Sequence, residues 1–524
     1  GLRTVEVVSE CDSFGKSFYF VVNSLPVFAK GTNYVMEDNI LPQGDSARTR
    51  RLLTAARDTN QNMIRVWGGS FYGSDDFYDI CDELGLLVWQ DFMFSCTCYP
   101  GDAAFYDNVY REARDNIIRL RNHASLALWC GNNECEVSVG VWKTLPYTKA
   151  DERDCLILFE SVISRAVAEF DSTRYYHPSS PSAGGAFENA ASLSFGDCHD
   201  WSMWFDFADF DEAEKRLPRF ASEFGFVCPP PAETLEKYVK RGGLAPTSAS
   251  LEKFIYDNDG IPKLLFYLAR EFDFPTDFPR FCYVTQVLST IHCGRYIEHM
   301  RRNRNGMLCM GALYWQLNDC APALSCAAVD YEGRYKAMMY KLKNAFAPVL
   351  VSVDMRANPP RLHVTNDTPE RICAAAYWAV RDNYGKIYAG AETKAEVMPL
   401  SDRAVSELDI SEVEKAPAAR YIEYGVIESG ERRPTGVRLL CRNKEYDYPE
   451  PEIEYTIRET ADGCEVELMS RVFANYVELS ANDAGAVFDD NYFALAANER
   501  RIIRTRDKIG EVKIKTIYAG RDEL

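Results

Sequence analysis

The chain has 524 residues, too many for one core, and 47% hydrophobic with 13% aromatic content, so two to four globular domains are expected. Its 59 basic and 78 acidic residues leave a net charge of −19, which disfavours nucleic acid and anionic membranes as partners and suits a neutral substrate. No apolar run approaches the roughly 20 residues that span a bilayer, and the 17 cysteines lie scattered in apolar segments, which points to reduced thiols in a cytoplasm rather than a disulfide framework.

Residues 1–8, GLRTVEVV, alternate like an edge strand and lead directly into another, SFYFVVN. This opening, 1–26, reads as the last strand or strands of a β-sandwich whose remainder lies outside the chain, so the strand 1–8 is expected to lack a pairing partner here, and a secretion signal ahead of it stays an open alternative to the cytoplasmic reading. From residue 27 the pattern becomes strand, helix, strand. Strands are expected at 28–33, 62–67, 86–92, 126–129, 175–178, 194–198, 219–224 and 311–316. Helices are expected at 45–59, with Asp45 as N-cap, and at 75–84, 106–121 and 151–170. Eight strands over 27–347 predict a (β/α)₈ barrel of the TIM type. KGTNYVMED after the first strand is not the glycine-rich phosphate loop that an open doubly wound sheet would want. Beyond 347 the period drops to two, with frequent Pro, Asn, Asp and Gly, and predicts two immunoglobulin-like β-sandwiches at 348–443 and 444–524. The charged segment NKEYDYPEPE, 443–452, reads as the linker between them.

Two carboxylates stand out at strand ends. SLALWCGNNE runs an apolar strand into Glu134, and PRFASEFG does the same with Glu223. One strand-end glutamate is ordinarily a solvated loop residue; two on barrel strands suit glycosidic cleavage, where one group protonates the departing oxygen and the other attacks or stabilises the anomeric carbon. Cys96 and Cys98 have no His or Cys at ligand spacing, so structural thiols are expected, with no metal and no cofactor.

GNNE, ASEFG, RVWGG (65–69), DELGLLVWQDFMF (82–94) and LYWQLNDC (313–320), which fall in order along nearly the whole chain at compatible spacing, together resemble the β-mannosidases of glycoside hydrolase family 2. The resemblance implies a retaining exo-hydrolase acting on oligosaccharides with terminal β-mannose. It makes Glu134 the acid/base and Glu223 the nucleophile, and makes Asn133 the partner of the sugar 2-hydroxyl rather than a simple turn cap. Arg65 resembles the arginine that keeps the nucleophile ionised. Trp67, Trp142, Trp201 and Trp315 lie at or beyond strand ends, where flat rings suit a pyranose face, although core packing is the ordinary fate of a tryptophan. A general acid must keep its proton near neutral pH, so Glu134 is expected above the usual glutamate range, pushed up by Glu223. Ala321 and Cys326 replace tryptophans usual in the family, Phe205 replaces a polar ring, and Ala124 replaces a proline. The lost tryptophans keep an endo-β-mannosidase or exo-β-glucosaminidase open as alternatives, along with a catalytically impaired glycan-binding fragment.

Overall fold

The computed structural model describes residues 3–40, 45–142, 146–240, 242–481 and 485–518. The chain divides into two compact units, residues 1–226 with 295–321, and residues 227–294 with 322–524.

The first unit is built on eight parallel strands: Ala29–Tyr34, Met63–Val66, Leu87–Asp91, Leu126–Cys130, Tyr175–His177, Cys198–His199, Ala221–Glu223 and Gly311–Tyr314. Numbered from one to eight, they pair in the order 5-4-3-2-1-8-7-6, each with its neighbour in parallel. This is the predicted barrel. Strands five and six stand at the two edges of the ladder and are joined through side chains: Asp197 takes His177 Nε2 at 2.8 Å, the Ser182 amide at 2.8 Å and the Ser180 hydroxyl at 2.6 Å. Apolar β-branched and aromatic residues explain strands two to four, whose side chains are buried almost throughout, as a parallel sheet covered on both faces requires.

The helices follow their signals. Asp45 caps Ser46–Asp58 by accepting the Arg48 amide at 2.6 Å. Asp75–Leu84 ends at Gly85 in the left-handed conformation. The stretch expected as one helix over 151–170 is instead Lys149–Leu156 and Ser164–Phe170, joined by π-helical turns at Ile157–Ile163. The sixth strand also departs from expectation. Residues 194–197 do not join the barrel ladder; Phe195 bridges Lys16, and pairing starts only at Cys198.

The opening strand has a partner after all. Val5–Val8 pairs antiparallel with Tyr19–Val22, which pairs with Leu25–Val27. Val7, Phe18 and Phe20 pack with Met63, Trp89, Leu128, Phe220 and Leu313 in one buried cluster. The Phe18 ring centroid lies 4.9 Å from His177, 5.3 Å from Phe220 and 5.5 Å from Trp89. Burying each such ring contributes about 1.5–3 kcal/mol. Gly311 leaves space for the Phe220 ring that Phe18 and Phe20 pack against, since a Cβ there would stand 2.1 Å from that ring. The hairpin that 5–27 form therefore fills the barrel interior with aromatic rings, and the polar residues gather at the strands' C-terminal ends.

The second unit carries the antiparallel sheets. Val349–Asp354, Arg361–Asn366 and Ser401–Glu407 form one sheet; Ile387–Val397, Ile372–Asp382, Arg420–Glu428 and Glu431–Arg438 form another. Val351, Leu362, Trp378 and Ile422 are in their shared core. A second pair of sheets is built from Ile453–Thr460, Gly463–Ser470 and Arg500–Thr505, and from Phe493–Leu495, Ala474–Ser480 and Lys513–Lys515, around Val466, Val477 and Ile503. These are the two trailing β-sandwiches. The segment read as the linker is bonded to its surroundings: Asn443 donates from its amide and its Nδ2 to Glu271, and Tyr446 is buried and bonded to Asn383. Among the described residues, no helix is long and apolar enough to cross a membrane.

Candidate active site

Arg65, on the second strand, organises the C-terminal end of the barrel. It is fully buried, and every guanidinium nitrogen is engaged. Nη1 donates to Glu223 Oε1 at 2.6 Å and to Asn33 Oδ1 at 2.9 Å; Nη2 donates to Asp91 Oδ2 at 2.9 Å and to Asn133 Oδ1 at 2.8 Å. Nε faces Asp91 Oδ1 at 3.5 Å. Burial alone would make the guanidinium easier to deprotonate, but Asp91 and Glu223 outweigh it and hold the charge more firmly than usual. A planar fork with five donors is what this set of acceptors requires.

Glu134 follows the fourth strand with φ +60°, in the left-handed region, as is Cys96 at φ +58°. Such backbone costs about 1–3 kcal/mol at a non-glycine residue and persists where the surroundings fix it. Here they do: the Glu134 amide donates to Ser180 O at 2.7 Å, and the Cys96 amide to Asn133 O at 2.9 Å. The turn aims the Glu134 carboxylate at three donors. Oε1 lies 2.7 Å from His199 Nδ1; Oε2 takes the Cys96 thiol and Asn133 Nδ2, both at 3.2 Å. Burial pushes the Cys96 thiol up to about 12, helped by Glu134, so it stays a donor.

Glu223 ends the seventh strand and is 3% exposed. Besides Arg65 it receives Trp201 Nε1 on Oε2 at 3.2 Å, and His199 Nδ1 stands 3.4 Å from that oxygen. One donor atom each from Glu134, His199 and Glu223 lie within 4.8 Å of one another. Such a set could also hold a metal ion, as could the more exposed Asp79, Asp82 and His123.

The direction of the Glu134 shift reverses the sequence expectation. Burial would raise it, but the hydrogen bond and charge of His199 outweigh burial and hold Glu134 below the usual glutamate range. Glu223 is the one raised, by burial first, with the charge of Glu134 adding to it against His199 and Arg65.

Three of the four tryptophans gather. Trp67 and Trp315 meet edge to face at 4.9 Å, and Trp315 meets Trp201 at 6.3 Å. RVWGG needs its second glycine because the Trp67 ring folds back over it; a Cβ on Gly69 would lie 2.2 Å from that ring. Trp142 is not brought in. It is 46% exposed at the end of the turn Ser138–Trp142, and no ring contact or hydrogen bond ties it to the others among the described residues. Phe205 is 54% exposed with its ring centroid 5.9 Å from that of Trp201, and the N–H that reaches Glu223 is the indole's.

Sequence reasoning missed Asn33, Asp91, Cys96, His199, Ser180 and Asp197. Asp91 and Cys96 stood in or beside a block already singled out; His199, one of six histidines, stood at a strand end in GDCHDW, which was the available signal.

A buried pair of carboxylates at the ends of barrel strands four and seven, one clamped by an arginine, is an arrangement suited to glycosidic cleavage. Comparison with known proteins narrows it. A family model described as the Ig-fold domain of mannosidases matches residues 448–516. Beta-mannosidase B of Neosartorya fischeri is 33% identical over 406 residues, 75% of this chain and 48% of that protein. Beta-mannosidase of Bos taurus is 36% identical over 371 residues, 66% of this chain and 42% of that protein. The crystal structure of a beta-D-mannosidase from Dictyoglomus thermophilum superposes with a TM-score of 0.91 at 30% identity, covering 98% of this chain and 63% of that one. The chain is thus similar in sequence and in fold to proteins named β-mannosidases, and it spans about half the length of the curated relatives it matches.

Proposed function

We propose that the protein is a retaining exo-β-mannosidase that removes terminal β-mannose from oligosaccharides. The observation that carries this reading is the carboxylate pair: Glu134 and Glu223 approach within 4.8 Å, and only Glu223 is bonded to Arg65. Retaining glycosidases place their carboxyl groups about 5–5.5 Å apart, whereas inverting ones leave about 6.5–9.5 Å for a water.

In this reading Glu223 attacks the anomeric carbon while Glu134 delivers a proton to the glycosidic oxygen, and the leaving sugar departs. Glu134, now a carboxylate, takes a proton from water, which opens the glycosyl ester on Glu223. Arg65 holds the nucleophile in place and favours its ionised form against burial, and Trp201 Nε1 bears on its other oxygen. Asn133, oriented by Arg65, offers Nδ2 towards the site as the partner of the 2-hydroxyl. Trp67, Trp315 and Trp201 form the wall against the pyranose face. Trp67 Nε1 is buried without a protein partner and suits a sugar hydroxyl. Trp142 has no part in this wall. Domains at 27–347, 348–443 and 444–524 go with the proposal, supported by the separate sandwich cores. So does a reducing compartment such as the cytoplasm, which fits 17 free cysteines.

The test is a panel of 4-nitrophenyl glycosides with the product of the preferred one followed by NMR. The expected result is hydrolysis of the β-mannoside ahead of the β-glucosaminide and β-glucoside, with β-mannose as the first-formed anomer. α-Mannose appearing first, or preference for another sugar, contradicts it.

A further inference from the structure

We propose that His199 is the proton store of the acid/base, its tautomer fixed by Ser180 and Asp197, an inference that rests on Glu134 having the role given above.

The argument is an inventory of hydrogens. Asp197, Ser180, His199 and Glu134 form one chain: Ser180 Oγ is 2.6 Å from Asp197 Oδ2 and 3.1 Å from His199 Nε2, and His199 Nδ1 is 2.7 Å from Glu134 Oε1. Ser180 and Asp197 are completely buried, and the His199 side chain is 3% exposed. A serine hydroxyl has one hydrogen. It belongs to the Asp197 carboxylate, the shorter contact and the group that can only accept. Ser180 therefore turns a lone pair to His199, and Nε2 carries the hydrogen. Nδ1, the nitrogen left to exchange a proton, faces the glutamates.

Two states then interconvert without moving a heavy atom: imidazolium beside a Glu134 carboxylate, and neutral imidazole accepting from a Glu134 carboxylic acid. In bond cleavage the proton leaves Nδ1 for Oε1, and the Oε1 hydrogen goes to the glycosidic oxygen. In ester hydrolysis Glu134 takes a proton from water and returns it to Nδ1. One proton leaves and one comes back, so the relay balances over a turnover. It also reconciles two demands on Glu134, which must give a proton in one half-reaction and be a carboxylate in the other.

Every charge around His199 has a place in this scheme. Glu134 and Glu223 face Nδ1. Asp197 acts on Nε2 through Ser180 and is itself held by His177 and Ser222. Burial would raise Asp197, but His177, His199 and the Ser180 hydroxyl bring it down to about 2, so the acceptor stays ionised over the working range. Arg65 acts on Glu223, and the Cys96 thiol on Glu134.

Two measurements test this. The first compares pH profiles of kcat/KM for the wild type, Ser180→Ala and His199→Gln on 4-nitrophenyl and phenyl β-mannosides. Ser180→Ala removes the acceptor on Nε2, so Nδ1 holds its proton less tightly and the alkaline limb moves to lower pH. His199→Gln should lose about 100-fold or more on the phenyl substrate, whose leaving group needs the proton, and much less on the activated one. Equal losses on both substrates with unshifted limbs would overturn the proposal, because that is what a merely structural role produces. The second is ¹⁵N NMR of histidine-labelled wild type, six imidazoles in all, with His199 assigned by difference. Nε2 should stay protonated while Nδ1 titrates; a neutral tautomer with the hydrogen on Nδ1 would overturn the relay. The NMR result stands even if the protein cleaves no β-mannoside, which would be a failure of the proposed function alone.

Discussion

Arg65 donates to Glu223 Oε1 at 2.6 Å while its other terminal nitrogen holds Asn133 Oδ1 at 2.8 Å, so one buried side chain sets both Glu223 and the residue before Glu134. The two halves of the site, 158 residues apart in the chain for the Arg65–Glu223 bond, share a single rigid fork. Replacing it by lysine keeps a charge but not the geometry. Arg65→Lys is expected to leave buried acceptors unmatched at about 1–3 kcal/mol each. It should also lower kcat/KM about 100-fold, as a misplacement of about 1 Å can. Urea unfolding and aryl mannoside kinetics check both; activity within a few-fold of wild type would contradict the clamp.

Trp201 was expected to offer a flat face, and its Nε1 in addition donates to Glu223 Oε2 at 3.2 Å. Phenylalanine keeps a ring and removes the donor. A hydrogen bond to a charged group contributes about 1.5–3 kcal/mol, so Trp201→Phe should lower kcat about 10- to 100-fold with a smaller change in KM. A change in KM alone would leave Trp201 with the stacking role only.

Glu136, two residues beyond the acid/base and 4% exposed, is pushed up to about 7 by burial and by Glu160, against Ser182, the Phe187 backbone and His177. The folded state holds this proton more tightly than the unfolded chain, whose value is near 4.5. Stability from this group is full below about 4.5 and is lost as pH rises towards 7, by about 3 kcal/mol at most. Glu136→Gln should abolish that part of the slope and exceed the wild type in stability at pH 8. Parallel stability–pH curves for the two proteins would refute it.

The sequence carried the parts of this site that lie within one strand and its loop. Glu134 and Glu223 could be read because buried apolar runs deliver them to barrel ends, and Arg65 and Trp67 because RVWGG shows a strand turning sharply. What could not be read depends on contacts across distant segments. His199 sits on a strand of two residues, Cys198–His199, too short for an apolar pattern, and its meaning lies in Ser180, Glu134 and Glu223. The sign of the Glu134 shift followed from the same omission, since Glu223 alone would raise it. Trp142 looked equivalent to Trp201 by position; the turn at Ser138–Trp142 carries it outward. The opening strand looked unpaired because its partner's role, plugging the barrel with Phe18 and Phe20, is a packing fact without a local signature.

The central claim is that Glu223 is the nucleophile and Glu134 its acid/base. The most direct measurement is mass spectrometry of peptides after inactivation with a 2-deoxy-2-fluoro-β-mannosyl fluoride. The account predicts one added sugar mass on the peptide containing Pro218–Gly225, located on Glu223 and absent from Glu223→Gln. A label on another carboxylate, with Glu223 unmodified, would contradict it.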